Sequence, residues 1–287
     1  MNAPLRLLAA GVLFSLGGAL IKACSFPSLE RAGVRSLIAA ITLFWLLPEA
    51  RRLPNRRIAI LLLPYFGATT LFVVANTLTT AANAIFLQAT YPFWVAVMAP
   101  FWLGERLRRR DLWVLLAISA GMALFFLSPA ATSATAPDPV LGDWIALASG
   151  LCYGALLLGF RWLSRIDPGA SSAVVAWGNA ANVPLTLLCS PLVGQTWTSG
   201  DPTSWASIAV LGTLQVGLAY ALVVRAMPHV PAVTASLILM IEPALNPVLA
   251  YLAHGEVPHA EAMAGGALIV FAVLAASLWP VRGVERR

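Results

Sequence analysis

Glu242 and Asn246 stand one helical turn apart inside an apolar run from Ala232 to Ala253, and each is followed by a proline, Pro243 and Pro247. A carboxylate and an amide at that spacing share a helix face and can hold a polar or cationic group. An ionisable side chain in a run long enough to cross a bilayer is costly there and marks a functional site by default. The prolines sharpen that expectation. Neither has a backbone N–H, so the carbonyls of Leu239 and Pro243 lose their helical donors. Carbonyls freed at membrane depth must face protein or a water-filled cavity. The stretch therefore predicts a polar cavity reached by Glu242 and Asn246, with Pro243 and Pro247 as helix breakers. The competing reading is a buried, hydrogen-bonded glutamate that only locks helix packing.

The same chemistry has an echo. Thr90-Tyr91-Pro92-Phe93-Trp94 leads to Gly104-Glu105 as Glu242-Pro243 leads to Gly255-Glu256, and the paired prolines, glycines and glutamates are each separated by 151 positions. Gly11-Val12-Leu13-Phe14-Ser15 is echoed by Gly150-Leu151-Cys152-Tyr153-Gly154 at a separation of 139. Two related halves follow, 1–128 and 141–287, joined by a linker at 129–140 rich in Ser, Thr, Ala and Pro. Matching places make Phe14 and Tyr153 candidate cavity walls, and Tyr91 and Trp94, beside the helix-breaking Pro92, extend them. Asn83, Gln88, Asn179, Asn182, Gln215 and Tyr220 are further polar residues at membrane depth. For any one of these, a hydrogen bond between helices competes with a binding role. Among them Asn83, Gln88 and Tyr220 join the candidate substrate contacts.

The elements that position these residues are transmembrane helices. The chain has 287 residues, 60% of them hydrophobic and 10% charged, with a mean hydropathy of +0.83, which excludes an ordinary soluble domain. About ten runs of 16 or more residues can each cross a core of about 30 Å as a helix, five per half. An all-α polytopic membrane protein is expected. With the N-terminus cytoplasmic, 15 of the 18 basic residues fall inside and Lys22, Arg31 and Arg35 outside, so both termini are placed in the cytoplasm. An odd number of spans per half makes the halves an inverted repeat, as in many secondary transporters. Arg31 and Arg35 begin the second span, where snorkelling to the interface competes with attraction of an anionic group.

Other chemistry is excluded or weak. The basic residues lie in short loops, which argues against nucleic acid as a partner. Lys22 is the sole lysine and ends no Gly-rich loop, so ATP hydrolysis is not expected. Cys24, Cys152 and Cys189 lack metal spacing, and Pro258 interrupts any helix that would align His254 with His259. No catalytic residue, metal or cofactor is expected; the partners are the lipid bilayer and a small-molecule substrate, and a monomer suffices.

The run from Ala75-Asn76-Thr77 through Asn83, Pro92 and Gly104-Glu105, repeated from Ala226-Met227-Pro228 through Glu242-Pro243 to Gly255-Glu256, resembles the EamA-type repeat of the drug/metabolite transporter superfamily. In size and layout it looks similar to the aromatic amino acid exporters of the YddG type. The resemblance covers nearly the whole chain. It implies ten helices in two inverted five-helix repeats, a central cavity, and alternating-access export of amino acids, aromatic and other large neutral ones, and related metabolites from the bacterial inner membrane. A departure is Tyr91 where the second half has Glu242, and the first span lacks the membrane-embedded glutamate of the small multidrug members. A drug or nucleotide-sugar carrier on the same scaffold is the alternative, and a non-transporting receptor or scaffold the remoter one.

Overall fold

The computed structural model describes residues 2–104, 132–167, 169–195, 200–230, 232–255 and 260–278, with scattered positions between 113 and 124. The Glu105 and Arg106 to Arg110 loop, residues 129–131 of the linker, Glu256 to His259 and the C-terminal arginines lie outside the described residues. All regular structure among the described residues is helical, apart from one bridge between Ser133 and Ala136.

Among the described residues six helices are long and apolar enough to cross a membrane: α1 (Ala3–Lys22), α3 (Arg56–Leu78), α4 (Ala81–Leu103), α5 (Pro139–Ile166), α6 (Ala170–Cys189) and α7 (Pro202–His229). Between α1 and α3 runs α2 (Ser28–Leu46), which carries Glu30, Arg31 and Arg35. The second-half run opened by the glutamate motif is two pieces, α8 (Ala232–Ile238) and α9 (Ile241–His254), followed by α10 (Ala260–Leu278). Among the described residues, length and hydropathy thus pick out six of the ten expected spans: α2 is charged, the α8–α9 run is interrupted, α10 carries only the shorter apolar stretch Met263–Ala272, and much of the fifth expected run, 112–127, lies outside the described residues.

Local chemistry sets the boundaries. The side chains of Asn2, Asn55, Thr80, Asp138 and Asp201 each accept the backbone N–H three residues on, capping α1, α3, α4, α5 and α7. Gly104 and Gly255, at φ +67° and +65°, close α4 and α9 in the left-handed conformation that glycine adopts without a Cβ penalty. Breaks interrupt α1 at Ser15–Leu16, α4 at Ala89–Thr90, and the α8–α9 run at Leu239–Met240. Pro92 therefore sits in the first turn of a new helical segment rather than inside a kinked one, where its missing N–H costs nothing; Pro243 lies in the first turn of α9, whereas Pro247, expected to break the helix, does not break it, since α9 runs on to His254. This corrects the expected role of Leu239: its carbonyl is not left free but accepts the Glu242 N–H at 3.0 Å in a tight turn.

Helix α2 packs along α6 and against α7, α5 lies against α3 and α4, and α9 contacts α1 and α4. The opening helix of each half sits on the broken helix of the other. A Cβ at Gly150 in α5 would lie 2.8 Å from the Gln88 carbonyl oxygen and 3.0 Å from that of Leu87, at the α4 break, and Gly11 in α1 faces Leu239 and Ile241 across the α8–α9 break. The outside is apolar, with Phe101 90% and Leu63 76% exposed, as expected of a surface solvated by lipid chains.

Candidate functional site

A small, half-open cavity lies where α1, α2, α3, α4, α5, α7 and α9 converge. Two stretches of π-helix shape it. In α3 the segment Gly67–Leu71 is wound as a π-helix, which alters the hydrogen-bond ladder and turns carbonyls sideways. The Ala68 carbonyl accepts Gln88 Nε2 and Ser149 Oγ, each at 3.0 Å, and the Thr69 carbonyl accepts Arg35 Nη2 at 2.9 Å. Gln88 Nε2 also donates to Ser149 Oγ at 2.7 Å. One irregular turn thereby holds side chains from α2, α4 and α5. In α7 the π segment Leu211–Leu218 delivers Gln215, whose Nε2 reaches the Phe14 carbonyl only at 3.5 Å and whose Oε1 is buried without a partner among the described residues.

The walls are aromatic on one side and polar on the other. Phe14 meets Tyr220 edge-on with ring centroids 5.0 Å apart, Tyr65 supports Tyr220 from behind at 5.4 Å, and Phe72 completes that wall. Tyr153 faces the space from α5, backed edge-on by Tyr91 at 4.8 Å. Arg35, Thr69, Gln88, Gln215 and Glu242 supply the polar lining.

Five residues expected at the site therefore line it: Phe14, Gln88, Tyr153, Tyr220 and Glu242. Four do not. Tyr91 stands behind Tyr153, its hydroxyl donating to the Ser236 carbonyl at 3.0 Å. Trp94 packs edge-on against Phe93 at 5.0 Å, facing Gly154. Asn83 donates to both carboxylate oxygens of buried Asp143 at 3.1 Å, and Thr79 Oγ1 donates to the same carboxylate at 2.7 Å. Asn246 is the clearest correction. It points at Gly18 of α1, and neither its Nδ2 nor its Oδ1 has a partner among the described residues. Sharing a face with Glu242 does not bring it to the cavity, because four residues advance about 6 Å along the axis and the cavity ends within that turn.

Arg35 corrects the reading in the other direction. It is no interfacial cation but sits 2% exposed in the cavity wall, about 10 Å along α2 from Ser28. Arg31 is also turned inward, donating through Nη2 to the Cys24 and Phe26 carbonyls at 2.6 Å. Thr69 and Phe72 were missed as well; the signal available was the run of small and hydroxyl residues Gly67-Ala68-Thr69-Thr70 three positions after Pro64. Asn179 and Asn182 keep the interhelical role: Asn179 donates to the Tyr65 hydroxyl, and Asn182 to Ser36 Oγ at 3.1 Å and Thr69 Oγ1 at 3.0 Å.

Polar clusters tie residues of the 1–128 stretch to those after 140 at both ends of α2. Near Ser28, Ser25 and Ser204 each donate to Asp201 Oδ2 at 2.7 Å, and Gln195 Nε2 donates to Ser28 Oγ at 2.9 Å. The two hydroxyls and the Ser204 N–H hold the Asp201 carboxyl below the usual carboxylate range. Beyond Leu46, Arg52 Nη1 pairs with Asp167 Oδ1 at 2.9 Å, Asn55 Nδ2 donates to Asp167 Oδ2 at 3.2 Å, and Ser172 Oγ donates to Glu49 Oε1 at 3.1 Å. The Arg52 hydrogen bond, with help from Asn55, lowers the Asp167 carboxyl from its ordinary value.

The pattern that defines the EamA-like transporter family matches residues 2–127 and 140–278. Two sequences of the pseudopaline exporter CntI, from two strains of Pseudomonas aeruginosa, are 28% and 27% identical to this chain, covering 95% of it and 98% of each relative. A solved crystal structure superimposes with a TM-score of 0.71 at 22% identity, covering 96% of both chains, and supports the fold.

Proposed function

The chain belongs to the EamA-like transporter family, and we propose that it exports amino acids, aromatic and other large neutral ones foremost, and related metabolites across the bacterial inner membrane by alternating access. The observation that carries this reading is the cavity at the converging helix breaks. Phe14, Phe72, Tyr153 and Tyr220 offer ring faces and edges to a flat apolar side chain, while Glu242 and the two glutamines offer contacts to its polar end. The halves 1–128 and 141–287 act as inverted five-helix repeats rocking about this space, with both termini and the loop at 106–110 cytoplasmic. Crossed packing of each opening helix on the other half's break supports such a motion, since rotating one half must re-seat both contacts.

Counterflow of radiolabelled phenylalanine in proteoliposomes tests the reading, with alanine and phenylalanine as competitors. Phenylalanine is expected to compete about tenfold better, the scale set by one or two aromatic contacts; equal competition removes the aromatic preference, and no counterflow of any amino acid removes the reading. Glu242→Gln should raise the phenylalanine concentration needed for half-maximal counterflow, with expression unchanged. Orientation is checked separately by single cysteines at positions 109 and 134 in a cysteine-free chain, where an impermeant maleimide applied from the periplasm should label only position 134.

A second reading, export of pseudopaline or a similar metabolite, is favoured by the two exporter relatives. Competition by pseudopaline in the same counterflow assay would place it ahead.

A further inference from the structure

Two ionisable side chains line one cavity with no counter-ion among the described residues. Arg35 has five N–H donors, and among the described residues only Nη2 is used, on the Thr69 carbonyl at 2.9 Å, while Nε is buried and unbonded. Glu242 is 4% exposed, and among the described residues no side chain or backbone N–H bonds its carboxylate. Neither pairs with the other, although both line the same space. Isolated charges so far from water are strongly disfavoured, and a buried guanidinium or carboxylate normally keeps a partner. A fold that retains both, on separate helices and opening into one cavity, is arranged for partners that arrive from outside.

We propose that Arg35 and Glu242 form a two-point site for a zwitterion, with the Arg35 guanidinium holding the ligand's carboxylate and the Glu242 carboxylate holding its ammonium group. A guanidinium presents its donors as a planar fork that matches a carboxylate, whereas an ammonium accepts a single carboxylate as a point contact. A monoanion would satisfy Arg35 and leave Glu242 buried and unpaired; a monocation would do the reverse. Only a ligand carrying both charges neutralises both walls. Gln88 and Gln215, which line the same cavity, orient the polar end without adding charge. Because Arg35 belongs to α2 and Glu242 to α9, the ligand's headgroup joins the two halves of the chain. This rests on the amino acid reading above and specifies its headgroup: free α-amino acids and amino-carboxylate metabolites are taken, while neutral drugs and nucleotide sugars are not.

The test uses the full chain in proteoliposomes and three competitors that share one ring: phenylalanine, phenylalaninamide, which lacks the carboxylate, and N-acetylphenylalanine, which lacks the ammonium. For the wild type, phenylalanine should compete with labelled phenylalanine at least about thirtyfold better than either analogue, the penalty for leaving one buried charge unpaired. Arg35→Gln should bring phenylalanine down to the level of the amide while leaving the amide unchanged, and Glu242→Gln should do the same relative to the acetylated analogue. Arg35→Lys, which keeps the charge but not the fork, should fall between. If Arg35→Gln does not fold, the wild-type comparison of the three ligands decides alone. Equal competition by all three, or variants that depress all three by one factor, overturns the two-point site while leaving amino acid export standing. Absence of any phenylalanine counterflow by the wild type overturns the amino acid reading and this site with it.

Discussion

Tyr153 separates two roles that a single residue can play in this cavity. Its ring lines the space and rests edge-on against Tyr91, yet its hydroxyl is buried with no partner among the described residues. A buried hydroxyl without a hydrogen bond costs about 1–3 kcal/mol. Tyr153→Phe should therefore raise the melting temperature in detergent, or leave it unchanged, since the fold gives the hydroxyl no partner among the described residues. A fall in phenylalanine transport in the same variant would show that the hydroxyl is kept for the ligand. Tyr153→Ala removes the ring pair, worth about 0.5–1.5 kcal/mol, and should weaken competition by phenylalanine up to about tenfold while leaving alanine within about twofold. Equal losses for both amino acids would assign the ring to packing instead. The tyrosine was legible in the sequence because it holds the place of Phe14 in the second half. Trp94 was singled out by its place beside Pro92 and stands elsewhere, facing Gly154.

At the scale of elements, the fold depends on α5 lying close on the broken α4. Replacing a helical glycine by alanine ordinarily gains about 1 kcal/mol in helix propensity. At Gly150 the added methyl would meet the carbonyl oxygens of Gln88 and Leu87 at 2.8 and 3.0 Å, and backbone cannot step aside as a flexible side chain can. Overpacking of that kind costs about 1–3 kcal/mol, so the sign reverses and Gly150→Ala should lower stability. Gln88 also holds the π segment of α3, and its displacement should reduce transport together with stability. A stabilised, fully active Gly150→Ala variant would show that the two helices part without consequence. The echoed glycines were readable from spacing alone. Their contact with the opposite half's break was not, because spacing gives the face of a helix and not its neighbour.

For the whole molecule, the Arg52–Asp167 pair ties the turn before α3 to the turn after α5. The Asp167 carboxyl is lowered in the folded state from an ordinary value of 3.8. Its contribution is therefore fully present above that value and is lost as pH falls below it toward the folded value. Both side chains are part-exposed, so the pair is worth less than about 1 kcal/mol. Asp167→Asn should remove this small contribution at neutral pH, and the difference in melting temperature between wild type and variant should shrink as pH is taken below 3.8. A gap independent of pH would mean that Asn55, which also bonds Asp167, carries the contact through a hydrogen bond that survives protonation.

The sequence by itself determined that this is a polytopic helical membrane protein, that its chain carries two echoing motifs, and that the helices should break near Pro92 and Pro243. These follow from the length of apolar runs and from the missing N–H of proline, which are properties of short stretches. Tertiary structure alone decided which polar side chains share one space. Arg35, Thr69, Phe72 and Gln215 reach the cavity from three helices, two of them turned by π segments, while Asn83 is taken up by Asp143 and Asn246 by the surface of α1. The direction and depth of a side chain accumulate from every break, extra residue per turn and crossing angle before it, and those depend on partners far away in the chain.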